Sequence, residues 1–439
     1  MDNLLAARLT MALSLGFHII FACIGMTMPF LMVMSHWKWL KTKDEMYLQL
    51  TKTWSKGVAI FFAIGAVSGT ALSFELGLLW PGFMEHAGAI IGMPFSWEGT
   101  AFFVEAVFLG VFLYGWNRIN PYVHWFSGLI VGVSGVASGI FVVTANAWMN
   151  APAGFDWING QAYNIDPWAA MFNDAWVSQC LHMTIAAFEA TAFAVAGLHA
   201  ILYMKNRQIT LHKNAMVIAL IIGSIAAIVQ PLSGDFSAKD VAKRQPVKLA
   251  AMEGQFKTEK GAPLTIGGIP DEKSRTMEYG IKIPGALSFL AYGDFNAEVK
   301  GLEEFPEENW PPVLITHLAF QVMVACGTIL ALLGIVFWIF KLKWKNLLEH
   351  KWFLIAVGIC TPLGFIAVEA GWIVTEVGRQ PWIIYDIMKT ADAVTPVPGQ
   401  IFHLSAFTLV YAVLTVVAVW LMKRQIKALH EFGSRRAEQ

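Results

Sequence analysis

The stretch beginning at Thr375 reads "TEVGRQPWIIY", so a carboxylate, Glu376, and a guanidinium, Arg379, close a long apolar run. An arginine beside a carboxylate keeps it ionised. Two chemistries suit the pair. As an interfacial anchor, the stretch seats Trp382 in an aromatic belt. As a working site, it turns Glu376 toward a metal and pairs Arg379 with an acidic group of a cofactor. Glu369 lies seven residues before Glu376, and Glu98 and Glu105 repeat that spacing in "WEGTAFFVEAVF". Seven residues is about two helical turns, so both carboxylates of a pair share one face. Stacked carboxylates in an apolar helix suit a proton relay; the plainer reading is two separate hydrogen bonds to neighbouring helices.

His18 sits without another ionisable group in "MALSLGFHIIFACIGM". It either hydrogen-bonds a neighbouring helix or ligates haem iron through a ring nitrogen. His182 and Met323 are each weak signals, since a methionine in an apolar run is nearly always packing. Together they could form the His/Met axial pair of a six-coordinate haem. Glu189, His199, His317 and His403 read as structural.

These residues need a membrane-spanning scaffold. The chain has 439 residues, 56% of them hydrophobic and 14% charged, with a mean hydropathy of +0.54. A soluble domain carries about 25% charged residues, so this chain lacks the polar surface to cover a water-soluble globule. The net charge of zero gives no reason to expect a nucleic-acid partner. Cys23, Cys180, Cys326 and Cys360 fall in apolar segments without a CxxC pair, and read as buried thiols. The N-terminus lacks a basic start and a cleavage site, so the first apolar run is expected to remain as a span.

A bilayer core needs about 20 apolar residues per helix. Nine runs qualify, near residues 11–34, 57–80, 93–116, 122–149, 177–204, 214–232, 311–340, 352–376 and 400–422. Basic segments such as "HWKWLKTK", "MKNRQITLHK", "KLKWKNLLEHK" and "MKRQIKALHEFGSRR" mark one side, while 81–92 and 150–176 hold no Lys or Arg. The positive-inside rule then puts the C-terminus in the cytoplasm and the N-terminus outside. The expected organisation is an all-α polytopic protein: spans one to six in 1–232, a long polar outer loop in 233–310, and spans seven to nine with a cytoplasmic tail in 311–439. A loop of that length is usually functional or disordered. In this topology His18, Glu98, His182, Met323 and Glu376 all fall in the outer half of the bilayer, and Glu105 lies deeper. A shared depth favours one layer of cofactors.

The segments "ARLTMALSLGFHIIF", "FELG", "WEGTAFFVE", "NAWMN", "LHMT", "GDFSAKDVAKRQPVKLAAMEG", "QVMVACG" and "GRQPW" together resemble subunit I of the cytochrome bd-type quinol oxidases, over nearly the whole chain. The resemblance implies that His182 and Met323 ligate a low-spin haem b. It implies that His18 and Glu376 ligate a high-spin haem b and a haem d, in either order, with a third b in place of d as the variant. Glu98 would sit at the dioxygen-reducing haem pair, Glu105 in the proton path toward it, and Arg379 beside Glu376. Lys248 and Glu253 would bind quinol, and being five apart they could lie near each other on a short helix. Glu253 would take a quinol proton.

The implied activity oxidises membrane quinol, ubiquinol or menaquinol, at the outer side and reduces dioxygen to water with cytoplasmic protons. Charge separates without a pump. The implied setting is the bacterial cell (inner) membrane, with a second membrane subunit, subunit II, and small single-span subunits as partners. One departure stands out: family members often carry Arg two residues before the ligating Met, where this chain has Gln321, so a changed low-spin redox potential is expected. Two other readings compete. A transporter or channel would use the Glu pairs as a relay but leaves the His/Met set unexplained. A haem-b electron carrier would make His18 and Glu376 superfluous.

Overall fold

The computed structural model describes residues 2–437. Its helices are α1 (Asn3–Thr42), α2 (Glu45–Leu79), α3 (Pro81–Tyr114), α4 (Pro121–Asn150), α5 (Pro167–Met171), α6 (Trp176–Lys205) and α7 (Thr210–Arg244). They continue with α8 (Pro246–Glu253), α9 (Ala286–Tyr292), α10 (Val313–Lys343), α11 (Lys351–Ile359), α12 (Leu363–Val377), α13 (Thr390–Ala393) and α14 (Gln400–Ala437). Among the described residues, nine helical segments are long and apolar enough to cross a membrane, with α11 and α12 counted as one. The boundaries follow local chemistry. The Asp2, Asp44 and Asn120 side chains accept from the first-turn N–H groups of α1, α2 and α4, and Pro81 and Pro121 occupy first helical positions, where no N–H is needed.

Most helices outrun the apolar runs: α1 covers 3–42, α2 starts at 45, α3 takes in 81–92, which the apolar runs left between spans, and α14 runs on to 437. Two differences have a local cause. The sixth span's helix runs on to Arg244, through residues expected in the loop, because Lys239 and Arg244 pair one turn back with Asp235 and Asp240 and support a polar helical extension. The eighth span is broken at residues 360–362, between α11 and α12, where Pro362 lacks the N–H that a continuous helix requires.

The long helices pack in two groups. In the first, α1 contacts α2 and α4, and α3 contacts α4; in the second, α6 contacts α7, α11 and α12, and α10 contacts α7 and α12. Contacts of α1 and α4 with α6 join the groups, and α14 packs on α1 and α2. Small residues set the closest approaches. A Cβ on Gly128 would strike Phe112, one on Gly132 would strike Phe30, and one on Gly139 would strike Met26. This glycine face draws α4 against α1 and α3. By contrast only 11% of the most apolar window of α14, and 22% of those of α2 and α3, is buried.

The segment between α7 and α10 is folded. It holds α8, α9 and three short antiparallel ribbons, pairing 259–260 with 298–299, 264–266 with 281–283, and 269–271 with 276–278. Two small apolar clusters support it. One joins Ala242, Leu249, Ala262, Leu287, Ala291 and Val299; the other holds Val247, Ala250, Ala251, Phe256, Leu302 and Val313. The second cluster reaches into the first turn of α10.

Candidate functional site

Glu376 lies in the last turn of α12. The Arg379 guanidinium donates to its Oε2 at 2.5 Å, and Asn146 of α4 donates to Oε1. Arg379 is 2% exposed, yet its Nε and Nη1 are buried without a partner. Polar groups so placed ask for an acceptor. Asn150 stands one turn beyond Asn146 and donates to the Asn146 carbonyl oxygen at 2.9 Å. It accepts from Lys248 Nζ at 2.8 Å, while its backbone carbonyl accepts from Gln245 at 2.8 Å. A continuous polar row thus runs Arg379, Glu376, Asn146, Asn150, Lys248 across α12, α4 and α8. Gly378 has an ordinary helical φ of −68°. Its place is reserved by crowding, since a Cβ there would lie 3.2 Å from Thr316 and 3.3 Å from Lys248.

Lys248 is 4% exposed. Burial, then the nearby Arg379 charge, lowers its pKa to about 7, with Glu376 opposing. Glu253 ends the same short helix at 5% exposure, and its Oε2 has no partner. Burial pushes its pKa up to about 8, the direction desolvation imposes on a carboxylate. No hydrogen bond or ion pair is recorded between the two. Five residues at about 100° each turn them to different sides of α8, so Lys248 meets Asn150 while Glu253 does not join that row.

His18 faces α2, with Nδ1 2.8 Å from Ser68 Oγ and Cε1 3.0 Å from where a Gly69 Cβ would be. His182 faces α7, with Nδ1 3.0 Å from Ser233 Oγ and the Gln230 amide near its ring. Met323 presents its sulfur to α12 at Gly371, 3.1 Å from a would-be Cβ. Among the described residues no three His, Cys, Asp or Glu side chains converge as a metal cage. The donor types fit haem: an imidazole oriented at Nδ1 by a hydroxyl, a thioether, a carboxylate, and unpaired Arg379 donors suited to an acidic substituent.

Glu98 accepts from Ser138 of α4 at 3.2 Å. Glu105, 6% exposed, lies against the same helix, 3.4 Å from where a Gly135 Cβ would stand. Both carboxylates therefore face α4. Sequence reasoning missed Glu75, which accepts from Ser14 at 2.6 Å and is fully buried with Oε2 unpartnered. A lone carboxylate in the apolar "FELG" was its signal. Glu369 lies against Gly16 of the same α1 turn. The two asparagines missed as partners, Asn146 and Asn150, lie in "NAWMN". Among residues read as structural, His403 contacts Gln400, and His199 joins His212 and then His430 in a hydrogen-bonded row. All four cysteines are buried and free.

A sequence model of the cytochrome bd terminal oxidase subunit I family matches residues 6–430. A curated relative, the putative cytochrome bd menaquinol oxidase subunit I of Bacillus subtilis (strain 168), is 38% identical, covering 96% of each chain. The cytochrome bd ubiquinol oxidase subunit 1 of the same organism is 33% identical over 97% of this chain and 94% of its own. The solved structure of bd oxidase from Geobacillus thermodenitrificans superposes with a TM-score of 0.92 at 37% identity, covering 97% of this chain and 99% of that one.

Proposed function

The chain belongs to the cytochrome bd terminal oxidase subunit I family, and from that premise we propose that it oxidises membrane quinol at the outer side and holds three haems. As a family member it is a multi-pass bacterial membrane protein, a haem-containing quinol:dioxygen oxidoreductase that works with subunit II. In this reading His182 and Met323 hold a low-spin haem b. His18 and Glu376 hold a high-spin b and a haem d, or a further b in place of d. Bound haem supplies the electron transfer and the dioxygen chemistry. The observation that carries the reading is the polar row from Arg379 to Lys248, which links a candidate iron ligand to the folded loop through a chain of side-chain hydrogen bonds.

The residues divide the work. Arg379 pairs with the Glu376 carboxylate and offers two free donors to an acidic substituent of the cofactor. Asn146 orients the Glu376 carboxylate. Glu253, buried beside the loop, accepts a proton from the quinol hydroxyl and releases it outside. Glu105 and Glu98, both against α4, hand protons outward from the cytoplasm. Uptake on one side and release on the other separates charge without a pump. The outside placement of the N-terminus and loop rests on the Lys/Arg asymmetry. The uncovered apolar faces of α2, α3 and α14 leave room for subunit II and for small single-span subunits.

Two measurements test this. A reduced-minus-oxidised spectrum of the purified complex, with extracted haems quantified, should give two b and one d per complex, or three b. One low-spin b alone, or none, would overturn the reading. Glu253 accepts a proton only when ionised, and burial pushes its pKa up to about 8, so quinol oxidation should rise with pH from about 6 through 8 and level only above about 9. Glu253→Gln should flatten that rise and lower turnover at least about tenfold; an unchanged pH profile would remove Glu253 from the role.

A further inference from the structure

His317 and Gln321 stand one turn apart on α10, on the face turned to the loop. His317 is fully buried. Its Nδ1 lies 2.7 Å from the Met252 carbonyl oxygen and its Nε2 3.2 Å from that of Gly267. Both ring nitrogens therefore face backbone carbonyl oxygens, one at the end of α8, a residue before Glu253, and one at the Gly267 turn. Gln321 holds the same turn. The Gln321 amide donates to the Thr265 carbonyl oxygen at 3.0 Å, and its Oε1 accepts from the Gly267 N–H at 2.9 Å. Gly267 and Gly268 both have positive φ, +68° and +92°, a turn few other residues could make. Met252 also packs on Ala319 and Val374. Two side chains of one helical turn thus hold two separate parts of the loop at their backbone.

We propose that His317 and Gln321 are positioning residues for quinol: a clamp that holds the Glu253 turn and the Gly267 turn in register on α10. This rests on the reading that quinol is oxidised beside Glu253. Gln321 serves because one side chain supplies both a donor and an acceptor. Arginine has no acceptor and would leave the Gly267 N–H unpaired. Leucine would leave both loop groups unpaired. The clamp sits two residues from Met323, so its loss should alter how quinol binds while the ligand stays in place.

The test uses the full complex in native membranes, with quinol as reductant. Gln321→Leu, Gln321→Arg and His317→Phe should each raise the KM for quinol about five- to tenfold, the effect of losing one or two such hydrogen bonds. kcat at saturating quinol should stay within about twofold, and the reduced-minus-oxidised spectrum should keep the low-spin haem. His317→Gln retains a donor and should restore most of the KM. Gln321→Met, close in shape, replaces Gln321→Leu if that variant loses haem. An unchanged KM in the clamp variants would overturn the inference, as would loss of the low-spin signal in both Gln321→Leu and Gln321→Met. Glu253→Gln is run alongside. Normal quinol turnover there would sink the underlying site reading, whereas an impaired Glu253→Gln with normal clamp variants would sink the clamp alone.

Discussion

Glu376→Ala is expected to remove one high-spin haem from the complex and to cut quinol oxidase turnover about a hundredfold or more. The low-spin spectrum should remain, because His182 and Met323 sit on α6 and α10, away from this carboxylate's contacts. The expectation has two physical parts. The first is loss of a candidate iron ligand. The second is electrostatic. Glu376 is the charged partner the structure records for Arg379, whose side chain is 2% exposed and already has two unpaired nitrogens. The Glu376 side chain is 29% exposed, but its removal leaves the buried Arg379 charge without its partner, which is destabilising. The alanine variant should therefore also melt at lower temperature. Glu376→Gln separates the parts: its amide oxygen can still accept from Asn146, but it cannot neutralise Arg379. Haem extraction with absorption spectra, and thermal unfolding of both variants, decide the matter. Survival of every haem signal in Glu376→Ala would show that the carboxylate is no ligand.

His182→Leu should have the complementary signature: the low-spin haem disappears, the high-spin signals stay, and turnover with quinol falls to about 1% or less of normal. In the proposed ligand role, His182 would be oriented in advance. Its Nδ1 is held by Ser233 and the Gln230 amide lies over the ring, so α7 sets the orientation of a side chain borne by α6. Met323→Leu should lose the same spectral component, because a leucine fills the space beside Gly371 without a sulfur to donate. Ser233→Ala should be milder, weakening retention of the low-spin haem about tenfold while leaving its spectrum recognisable. Spectra of membranes from the three variants at equal protein are sufficient. A low-spin signal unchanged in both His182→Leu and Met323→Leu would reject the axial pair.

Much of this protein is legible in its sequence. The nine spans follow from apolar length alone, because lipid forces every backbone polar group to be satisfied within a helix. The costly groups announced themselves for the same reason: Glu98, Glu105, Glu376 and Arg379 stand out against 14% charged residues. The 3.6-residue period placed Glu98 and Glu105 on one face, and both turn toward α4. The motifs pointed to the family that the comparisons establish. Where a helix could be prolonged by its own ion pairs, as from 233 to 244, an apolar-run boundary stopped short of the real one.

Partnership was decided only in three dimensions. The periodicity of α12 does not name Asn146, 230 residues away, as the group orienting Glu376, nor does that of α8 send Lys248 to Asn150 while Glu253 turns aside. His317, read as structural, and Gln321, read as a missing charge, proved to hold the loop by its backbone. Sequence patterns report what each element must bury and which residues are expensive there. The contacts that make those residues affordable join elements far apart in the chain, and depend on how α4, α8, α10 and α12 meet. That meeting is set by close packing at small residues such as Gly135, Gly371 and Gly378, where space rather than residue chemistry chooses the neighbour.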